Sequence, residues 1–443
     1  MKNELRILLL LLCLCPMMHL SGQNALPTLG DIHSVVKGET WESIAANHGI
    51  TVLELRATNP DIKRKKLKKG TLLVIPHPSW PSDVTDVAET PAEPAVRTAI
   101  SDLKVGVLLP FGDGKMVEFY RGFLMAADSV RKAGVNLDIH TWDCGTSIAQ
   151  IEQLLPNLVG LDVIFGPVSP TQIPAVAEAC REQGTRLVLP FWNEQSTQDY
   201  PLVYNATAST SLVYESAVKS LLNYYGDRNF VIVHSGNSDS HGKILTETLT
   251  NNLTERAGMS KVLELEGDDF AYQSAFNQFR DNMILLDDSS IRSLNILLAR
   301  LKDFHRGHSE YRLSLIGYPL WQDETGRLLG DFFSFNTYII SPYYYNVLDD
   351  KTKRFQRTYE KSFRTPIAQN NPRYAAMGFD LGYYFLSGVS SLGDTFEQMQ
   401  GNLHQEPFQN WYQFERGASG MTFYNNFVQF IHFTPESKIE LIR

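Results

Sequence analysis

Short apolar runs alternate with amphipathic segments through most of the chain after Leu103, and this alternation restricts the possible folds more than any other feature. The first run, LKVGVLLP, is rich in Val and Leu, which is typical of a strand covered on both faces. Apolar residues from Phe119 to Val130 then recur at helical spacing, so this segment can pack back on the strand. Strands and helices in alternation predict βαβ units around a parallel sheet.

The alternation occurs in two successive sets, separated by the less regular stretch DYPLVYNATAS. The predicted strands are LKVGVLLP, NLDIHTWD, LDVIFGP and TRLVLPFW in the first set, and NFVIVHS, KVLELEG, MILLDD and RLSLIGYP in the second. The predicted helices cover residues 118–132, 148–157, 171–183, 212–225, 242–256, 271–280 and 291–305. We therefore expect an α/β fold with two doubly wound lobes whose strand ends face each other across a cleft, where open α/β sheets bind ligands.

The amino-terminal residues have the pattern of a secretory signal. Lys2 and Arg6 precede the apolar run ILLLLLCL, which is too short to span a bilayer. Small residues follow this run, so we expect residues 1–22 to form a cleaved signal peptide. A lipid anchor on Cys15 is not expected, because the bulky Leu14 precedes it. These features predict a protein of the periplasm or cell envelope.

Composition limits the classes of partner. The formal net charge of the 443 residues is −9, which argues against binding to nucleic acid. Removal of the signal peptide leaves only Cys144 and Cys180, which are too few for a disulfide scaffold. Two interpretations of this pair stay open: two small buried hydrophobic residues, or a single bridge.

Residues 31–76 have the pattern strand, helix, helix, strand. Thr40 is a good N-cap for a helix that begins at Trp41, and Asn59 followed by proline ends a second helix. The motifs in chain order are Gly38-Glu39-Thr40-Trp41, Ser43-Ile44-Ala45, Asn59-Pro60 and Gly70-Thr71-Leu72-Leu73-Val74-Ile75-Pro76. With these motifs, the segment resembles a LysM domain over nearly its whole length.

The resemblance implies a βααβ module that binds the N-acetylglucosamine chains of peptidoglycan or chitin in a shallow groove between two loops. One wall of the groove is expected to be formed by Gly38, Glu39, Thr40 and Trp41, and the other by Asn59, Pro60, Asp61 and Ile62. Two positions depart from the family pattern, because Glu39 replaces the usual Asp and Trp41 replaces the usual Leu. We expect these two residues to reshape the groove.

Residues 77–102 form a predicted linker. They include Pro78, Pro81, Pro91 and Pro94, several acidic residues and few large apolar ones, so they cannot bury a core. We expect a semi-extended tether that lets a second module sample the space around the first.

From residue 103 to residue 443 the chain resembles a type I periplasmic binding protein, the superfamily of the leucine/isoleucine/valine-binding proteins. The resemblance rests on KVGVLLP followed by Tyr120-Arg121-Gly122, on Gly166-Pro167 after the third strand, and on Pro190 at the end of the fourth. It implies two lobes, with the segment SFNTYIISPYYYN returning to the first lobe. The expected first lobe covers about 103–208 and 337–405, and the expected second lobe covers about 209–336 and 406–443.

In that family a small ligand lies between the lobes and hinge closure traps it, as in a Venus flytrap. Residue by residue, the resemblance implies cleft contacts at Ser169, Asn193, Ser196, His241, Asp288, Ser289, Trp321 and Asp323. The loop after the fourth strand departs from the family, since bulky Phe191 and Trp192 replace a Ser/Thr/Ala-rich cradle. Three interpretations of the pocket stay open: it is aromatic, it is filled, or it serves another partner.

An enzyme is the least favoured class. The sequence has no HExxH zinc motif, no Gly-x-Ser-x-Gly elbow and no complete Walker A motif. Ser240-His241-Gly242-Lys243 matches Ser-x-x-Lys, but no companion Lys-Thr-Gly occurs. Asp287 and Asp288 are adjacent at a strand end, where neighbouring side chains point in different directions. We expect no catalytic residues, no metal and no cofactor.

The leading hypothesis is a noncatalytic bacterial envelope protein that binds peptidoglycan through the LysM segment and a small molecule or peptide in the inter-lobe cleft. The second hypothesis is an envelope scaffold or regulator whose two-lobed domain has lost its ligand and binds a protein partner. A peptidoglycan hydrolase comes third.

Overall fold

The structure is a computed structural model that describes residues 32–48, 52–57, 59, 62, 67–74, 99–191, 200–207, 209–255, 260–417 and 420–443. The chain divides into two compact units, Met1–Glu93 and Pro94–Arg443. The predicted signal peptide and the predicted linker as far as residue 98 lie outside the described residues.

The small unit contains a two-stranded antiparallel sheet and two helices. Its elements are β1 (Ile32–Ser34), α1 (Trp41–Asn47), α2 (Val52–Ala57) and β2 (Leu72–Val74). As predicted, Thr40 is the N-cap of α1: its side chain accepts the N–H of Ser43, and the Ser43 side chain accepts the N–H of Thr40. The buried core consists of Val35, Trp41, Ile44, Ala45, Leu55 and Leu73.

The large unit begins with the first predicted set of strands and helices. The elements are β3 (Asp102–Leu109), α3 (Gly114–Lys132), β4 (Asn136–Asp143), α4 (Ile148–Leu154), β5 (Val163–Phe165), α5 (Ile173–Gln183), β6 (Arg186–Leu189) and β7 (Val203–Asn205). The helix predicted for 148–157 ends at Leu154 and continues as a 3₁₀ turn, Leu155–Leu158, because Pro156 cannot donate a helical hydrogen bond.

The second set follows with the same alternation. The elements are α6 (Thr210–Tyr225), β8 (Asn229–His234), α7 (Ser240–Glu255), β9 (Lys261–Glu264), α8 (Asp269–Ala275), β10 (Asn282–Leu286), α9 (Ile291–Gly307), β11 (Leu313–Gly317), α10 (Thr325–Ser334) and β12 (Thr337–Ser341). The helix predicted for 271–280 is shorter than expected. It ends at Ala275 because Asn282 turns the chain: its side chain accepts the N–H of Asn277 and donates to the Asn277 carbonyl.

The remaining chain adds three helices and four strands to the described part of the unit. They are α11 (Asp350–Phe363), α12 (Tyr374–Leu392), α13 (Phe396–Met399), β13 (Phe414–Arg416), β14 (Phe423–Asn425), β15 (Gln429–Phe433) and β16 (Ile439–Ile442). Among the described residues, no helix combines the length and apolar character that a membrane crossing requires.

The strands of the described large unit form two separate seven-stranded sheets. The strand order is β13-β14-β7-β6-β5-β3-β4 in the first sheet and β16-β15-β12-β11-β10-β8-β9 in the second. The central strands of each sheet run parallel. The predicted class, an α/β fold with two doubly wound lobes, is confirmed; we call the parts built on these sheets the first lobe and the second lobe.

The lobe boundaries differ from the expected ones. The segment expected to return to the first lobe forms β12, which pairs parallel with β11 in the second sheet, with Ile316 opposite Tyr338. Conversely, β14 pairs parallel with β7 in the first sheet, with Phe423 opposite Tyr204. The physical reason is that α10 connects β11 to β12 as one more βα unit, so the chain leaves the second sheet only after Ser341.

Two glycines allow α3 and α12 to pack closely in the first lobe. A Cβ at Gly122 would lie 1.8 Å from the carbonyl oxygen of Ala375, and a Cβ at Gly378 would lie 1.9 Å from that of Phe119. Only a residue without a side chain fits at either position. The pair of glycines therefore sets the distance between the two helices.

Cys144 and Cys180 are free and buried in one apolar cluster of the first lobe. Burial raises the pKa of the Cys144 thiol to about 11 and that of the Cys180 thiol to about 12. Of the two interpretations that the sequence left open, the structure has the pair of buried hydrophobic residues.

Candidate functional site

The first expected wall of the glycan groove is a tight loop before α1. Gly38 has a φ of +101°, a conformation that favours glycine. The Glu39 carboxylate accepts the N–H of Val36 at 2.8 Å and lies 2.9 Å from Nε2 of His33. These two hydrogen bonds lower the pKa of Glu39, and the bond from the Val36 N–H has the larger effect. Glu39 therefore closes the loop as a carboxylate and leaves Gly38 and Thr40 exposed.

Trp41 does not line an open wall, because its side chain is only 1% exposed and belongs to the core of the small unit. The guanidinium of Arg56 lies over its ring, 5.0 Å from the ring centroid. The departure from the usual Leu thus enlarges the core and adds a cation–π contact from α2.

The second expected wall is only partly described. Asn59 is buried, and its side-chain amide donates to the Leu55 carbonyl at 2.8 Å. Ile62 packs against the same core cluster that contains Trp41. Pro60 and Asp61 lie outside the described residues.

In the first lobe, the expected cleft residue Ser169 follows β5 and is half-buried. Its hydroxyl donates to the carbonyl of Thr146 at 3.3 Å and lies 3.1 Å from the hydroxyl of Thr171. Asn193 and Ser196, the two other expected contacts from this lobe, lie outside the described residues.

An aromatic group occupies the end of the first sheet beside this region. The Phe191 ring lies between those of Phe119 and Tyr374, with centroid distances of 6.0 Å and 5.9 Å. The Lys115 ammonium lies 5.8 Å from the centroid of Tyr374. The bulky residue noted in the sequence therefore packs against its own lobe.

In the second lobe, the expected contacts Asp288 and Ser289 are buried and bound to neighbouring side chains. The Asp288 carboxylate accepts the hydroxyls of Ser290 and Ser293, at 2.9 Å and 2.5 Å. Ser289 donates its N–H at 3.1 Å, and also its hydroxyl, to the Asp239 carboxylate. The polar groups at this strand end are therefore satisfied within the lobe.

Two further expected contacts differ in their exposure. Trp321 is fully buried, and its indole N–H donates to the Ser289 carbonyl at 2.9 Å. His241 is exposed, and its Nδ1 lies 2.9 Å from the hydroxyl of buried Tyr214. Trp321 thus supports the strand end from inside the lobe, while the edge of His241 is open to solvent.

Asp323, the last expected contact, joins the two lobes. The side-chain amide of Asn371, which lies between α11 and α12, donates to its carboxylate at 2.6 Å. Both residues are exposed.

Asp287 was noted in the sequence only as one of an adjacent acidic pair, but it is 3% exposed and binds His234 at the end of β8. Its Oδ2 lies 2.9 Å from Nδ1 of His234 and accepts the hydroxyl of Ser238 at 2.5 Å, while Oδ1 accepts the N–H of Ser235 at 2.8 Å. Burial raises the pKa of Asp287, but these hydrogen bonds outweigh it and the pKa is lowered. The only sequence signal was an acidic pair after a strand.

Asp380 was missed, although it is a single acid inside the apolar stretch YAAMGFDLGYYF. Its carboxylate accepts the N–H groups of Phe408, Gln409 and Asn410, each at 2.8 Å. Complete burial raises its pKa to about 7, against the effect of these N–H groups. Because the N–H of Tyr344 donates to the Gln409 carbonyl at 3.1 Å, Asp380 ties α12 to a crossover between the lobes.

No group of three or more His, Cys, Asp or Glu side chains in the described part of the chain is arranged to hold a metal ion.

Comparisons with solved structures identify the fold of the large unit. A putative branched-chain amino acid ABC transporter protein from Rhodospirillum rubrum matches with a TM-score of 0.54 at 13% identity, over 77% of this chain and all of that one. Full-length LpoA from Haemophilus influenzae matches with a TM-score of 0.51 at 12% identity, over 78% of this chain and 59% of that one. The large unit therefore has the two-lobed fold of type I periplasmic binding proteins.

The small unit is assigned by a family model, since the model of the LysM domain matches residues 33–76. These residues are a LysM domain, as their motifs predicted. No curated protein matches the sequence. A LysM domain together with a periplasmic binding protein fold indicates an extracytoplasmic location in the cell envelope.

Proposed function

We propose that the chain is a noncatalytic bacterial envelope protein that is exported by a signal peptide, binds peptidoglycan through its LysM domain and recognises a second molecule with its two-lobed domain. The observation that carries this proposal is the LysM match at residues 33–76 next to a periplasmic binding protein fold. Both domains bind ligands by hydrogen bonds and apolar contact, for which no reacting side chain is required.

The glycan site that we propose lies between the exposed Gly38–Thr40 loop and the segment around Ile62. Backbone groups of the loop would bond the acetamido groups of N-acetylglucosamine, and the half-buried Ile62 would contact the face of a sugar ring. Glu39 acts indirectly, because it holds the loop through the Val36 N–H.

Calorimetric titration of the intact protein with a chitin pentasaccharide tests this site. Glu39→Ala should weaken binding by roughly tenfold, because the loop loses a hydrogen bond to a charged acceptor. Asn47→Ala, at an exposed polar residue at the end of α1, is the control and should leave the affinity unchanged. If the unsubstituted protein and Glu39→Ala bind the pentasaccharide with equal affinity, the loop is not part of the glycan site.

For the two-lobed domain, the first candidate ligand is a small molecule or peptide in the cleft. Ser169, His241 and Asp323 keep solvent-accessible atoms at the strand ends, so these three are the proposed direct contacts. Asp288, Ser289 and Trp321 are bound within the second lobe, and we propose that they position the others.

The second candidate is a scaffold or regulator that binds a protein partner of the envelope. It is favoured by the internal hydrogen bonds of Asp288 and Ser289, since a ligand would have to compete with groups that are already satisfied. Thermal denaturation in the presence of amino acids, peptides and muropeptides separates the two candidates. A ligand that binds the native state stabilises it by RT ln(1 + [L]/Kd) and so raises the melting temperature, whereas no shift with any compound favours the scaffold.

A further inference from the structure

A groove on the second lobe is lined by polar residues that are neither expected glycan contacts nor expected cleft contacts. It has a volume of about 450 Å³ and lies between α7 and the edge of the second sheet, where β9 is the last strand. Its volume falls in the range of small-ligand pockets. The lining includes Ile232, His234 and Val262 from the sheet and Lys243, Thr246 and Glu247 from α7.

The imidazole of His234 is held in place for a ligand in this groove. The nearly buried carboxylate of Asp287 accepts its Nδ1–H, and Ser235 and Ser238 fix that carboxylate in turn. With Nδ1 engaged, Nε2 is the nitrogen left for a ligand, and it makes no hydrogen bond within the described residues. A buried charge that orients a surface histidine is a costly arrangement, and it is typical of binding sites.

Two opposite charges lie one helical turn apart on the same side of the groove. Lys243 and Glu247 are exposed, line the groove from α7, and form no ion pair with any residue that the structure describes. At this spacing their Cβ atoms are roughly 6 Å apart. The groove is also lined by the apolar residues Ile232 and Val262 of the sheet, and Val262 is 59% exposed. The groove therefore offers a cation, an anion and an apolar surface together.

We propose that this groove binds a dipeptide with free termini, with its carboxylate on Lys243, its ammonium group on Glu247 and its side chains against Ile232 and Val262. An extended dipeptide spans about 7 Å, which is comparable to the spacing of roughly 6 Å between the Cβ atoms of Lys243 and Glu247. His234 accepts a hydrogen bond from the ligand through Nε2.

Titration calorimetry of the intact protein with Ala-Ala, N-acetyl-Ala-Ala and Ala-Ala amide tests the proposal. Blocking either terminus should weaken binding by roughly tenfold, the value of one lost charged hydrogen bond. Lys243→Met should weaken the binding of Ala-Ala by the same factor. It should not change the affinity for Ala-Ala amide, which has no carboxylate for Lys243 to contact. Glu247→Gln should weaken the binding of Ala-Ala. It should not change the affinity for N-acetyl-Ala-Ala, because this ligand has no ammonium group for Glu247 to contact.

Glu215→Gln and Lys219→Met are the matched controls, since this exposed pair has the same spacing on the neighbouring helix α6. Both controls should bind Ala-Ala as the unmodified protein does. If no binding is detected up to about 10 mM Ala-Ala, the binding free energy is too small for a built site. This result would overturn the proposal. The proposal would also be overturned if Ala-Ala still bound to Lys243→Met and Glu247→Gln but not to Asp323→Ala. That result would assign the peptide to the cleft.

Discussion

The side-chain amide of Asn371 in the first lobe donates a hydrogen bond of 2.6 Å to the carboxylate of Asp323 in the second lobe. Both side chains are exposed, so the bond adds little to the stability of either lobe. We expect it instead to limit how far the lobes separate, because a wider separation would break it.

Asn371→Ala should therefore widen the distribution of distances between the lobes while changing the free energy of unfolding by less than about 0.5 kcal/mol. Electron paramagnetic resonance between spin labels at Lys132→Cys and Arg306→Cys measures this distribution, since both positions are exposed and lie on different lobes. Asn295→Ala is the control, because Asn295 bonds Arg327 within the second lobe. Identical distributions for Asn371→Ala and the unsubstituted protein would show that the bond does not restrain the lobes.

The contact between α3 and α12 predicts a large loss of stability from a small substitution. Gly122→Ala would place a methyl group 1.8 Å from the Ala375 carbonyl oxygen, and relief of this clash should cost about 2–3 kcal/mol. Gly330→Ala is the matched control: Gly330 lies in α10 with open space around its Cβ position, so alanine should stabilise by about 0.5–1 kcal/mol. Urea denaturation measures both, and a neutral Gly122→Ala would contradict the packing described.

A buried ion pair connects α13 to the first sheet. The guanidinium of Arg186 contacts both carboxylate oxygens of Glu397, at 2.7 Å and 2.9 Å, and the hydroxyl of Tyr204 donates to the same carboxylate at 2.9 Å. The side chains of the pair are about one-tenth exposed.

Glu397→Ala should lower the free energy of unfolding by roughly 3–5 kcal/mol, because Arg186 would stay buried without its partner. Asp128→Ala serves as the comparison, since Asp128 and Lys132 form an exposed pair on α3 and its loss should cost less than about 1 kcal/mol. Equal losses in the two variants, measured by urea denaturation, would mean that the Arg186 pair is effectively solvated.

The lowered pKa of Asp287 predicts a specific dependence of stability on pH. In the unfolded chain an Asp has a pKa of about 3.9, and in the folded protein the hydrogen bonds of Ser238, His234 and Ser235 hold it lower. The ionised carboxylate therefore stabilises the folded state above about pH 4, and this stabilisation is lost as the pH falls through the folded pKa. The stability difference between the protein and Asp287→Asn should thus shrink from pH 5 to pH 3. Ser238→Ala should show an intermediate dependence, and a difference that stays constant over this range would contradict the account.

The sequence predicted the long buried strands well, because a run such as LKVGVLLP carries its own apolar signal. It did not predict β7, a strand of three residues, because its pairing with β14 brings together Tyr204 and Phe423, which are distant in sequence. The same limit explains the misplaced return to the first lobe: local pattern identifies β12 as a strand but not the sheet it joins.

The candidate sites were predictable in position but not in detail. Asp288 and Ser289 were expected at a strand end, and they lie there, but their partners Ser293 and Asp239 depend on the folded loop geometry. Trp41 was expected on a groove wall, yet its large side chain is better buried, where it displaces the usual Leu. The position of a motif therefore indicates where a residue lies in the fold, but the contacts of that residue can be known only from the structure.

Sedimentation with purified peptidoglycan sacculi tests the central claim most directly. We expect the intact protein to pellet with dye-labelled sacculi, to return to the supernatant when chitin oligosaccharides compete for the LysM groove, and to release no dye during incubation. A protein that stays in the supernatant, or one that pellets and releases dye, would contradict the account of a noncatalytic protein held on peptidoglycan by its LysM domain.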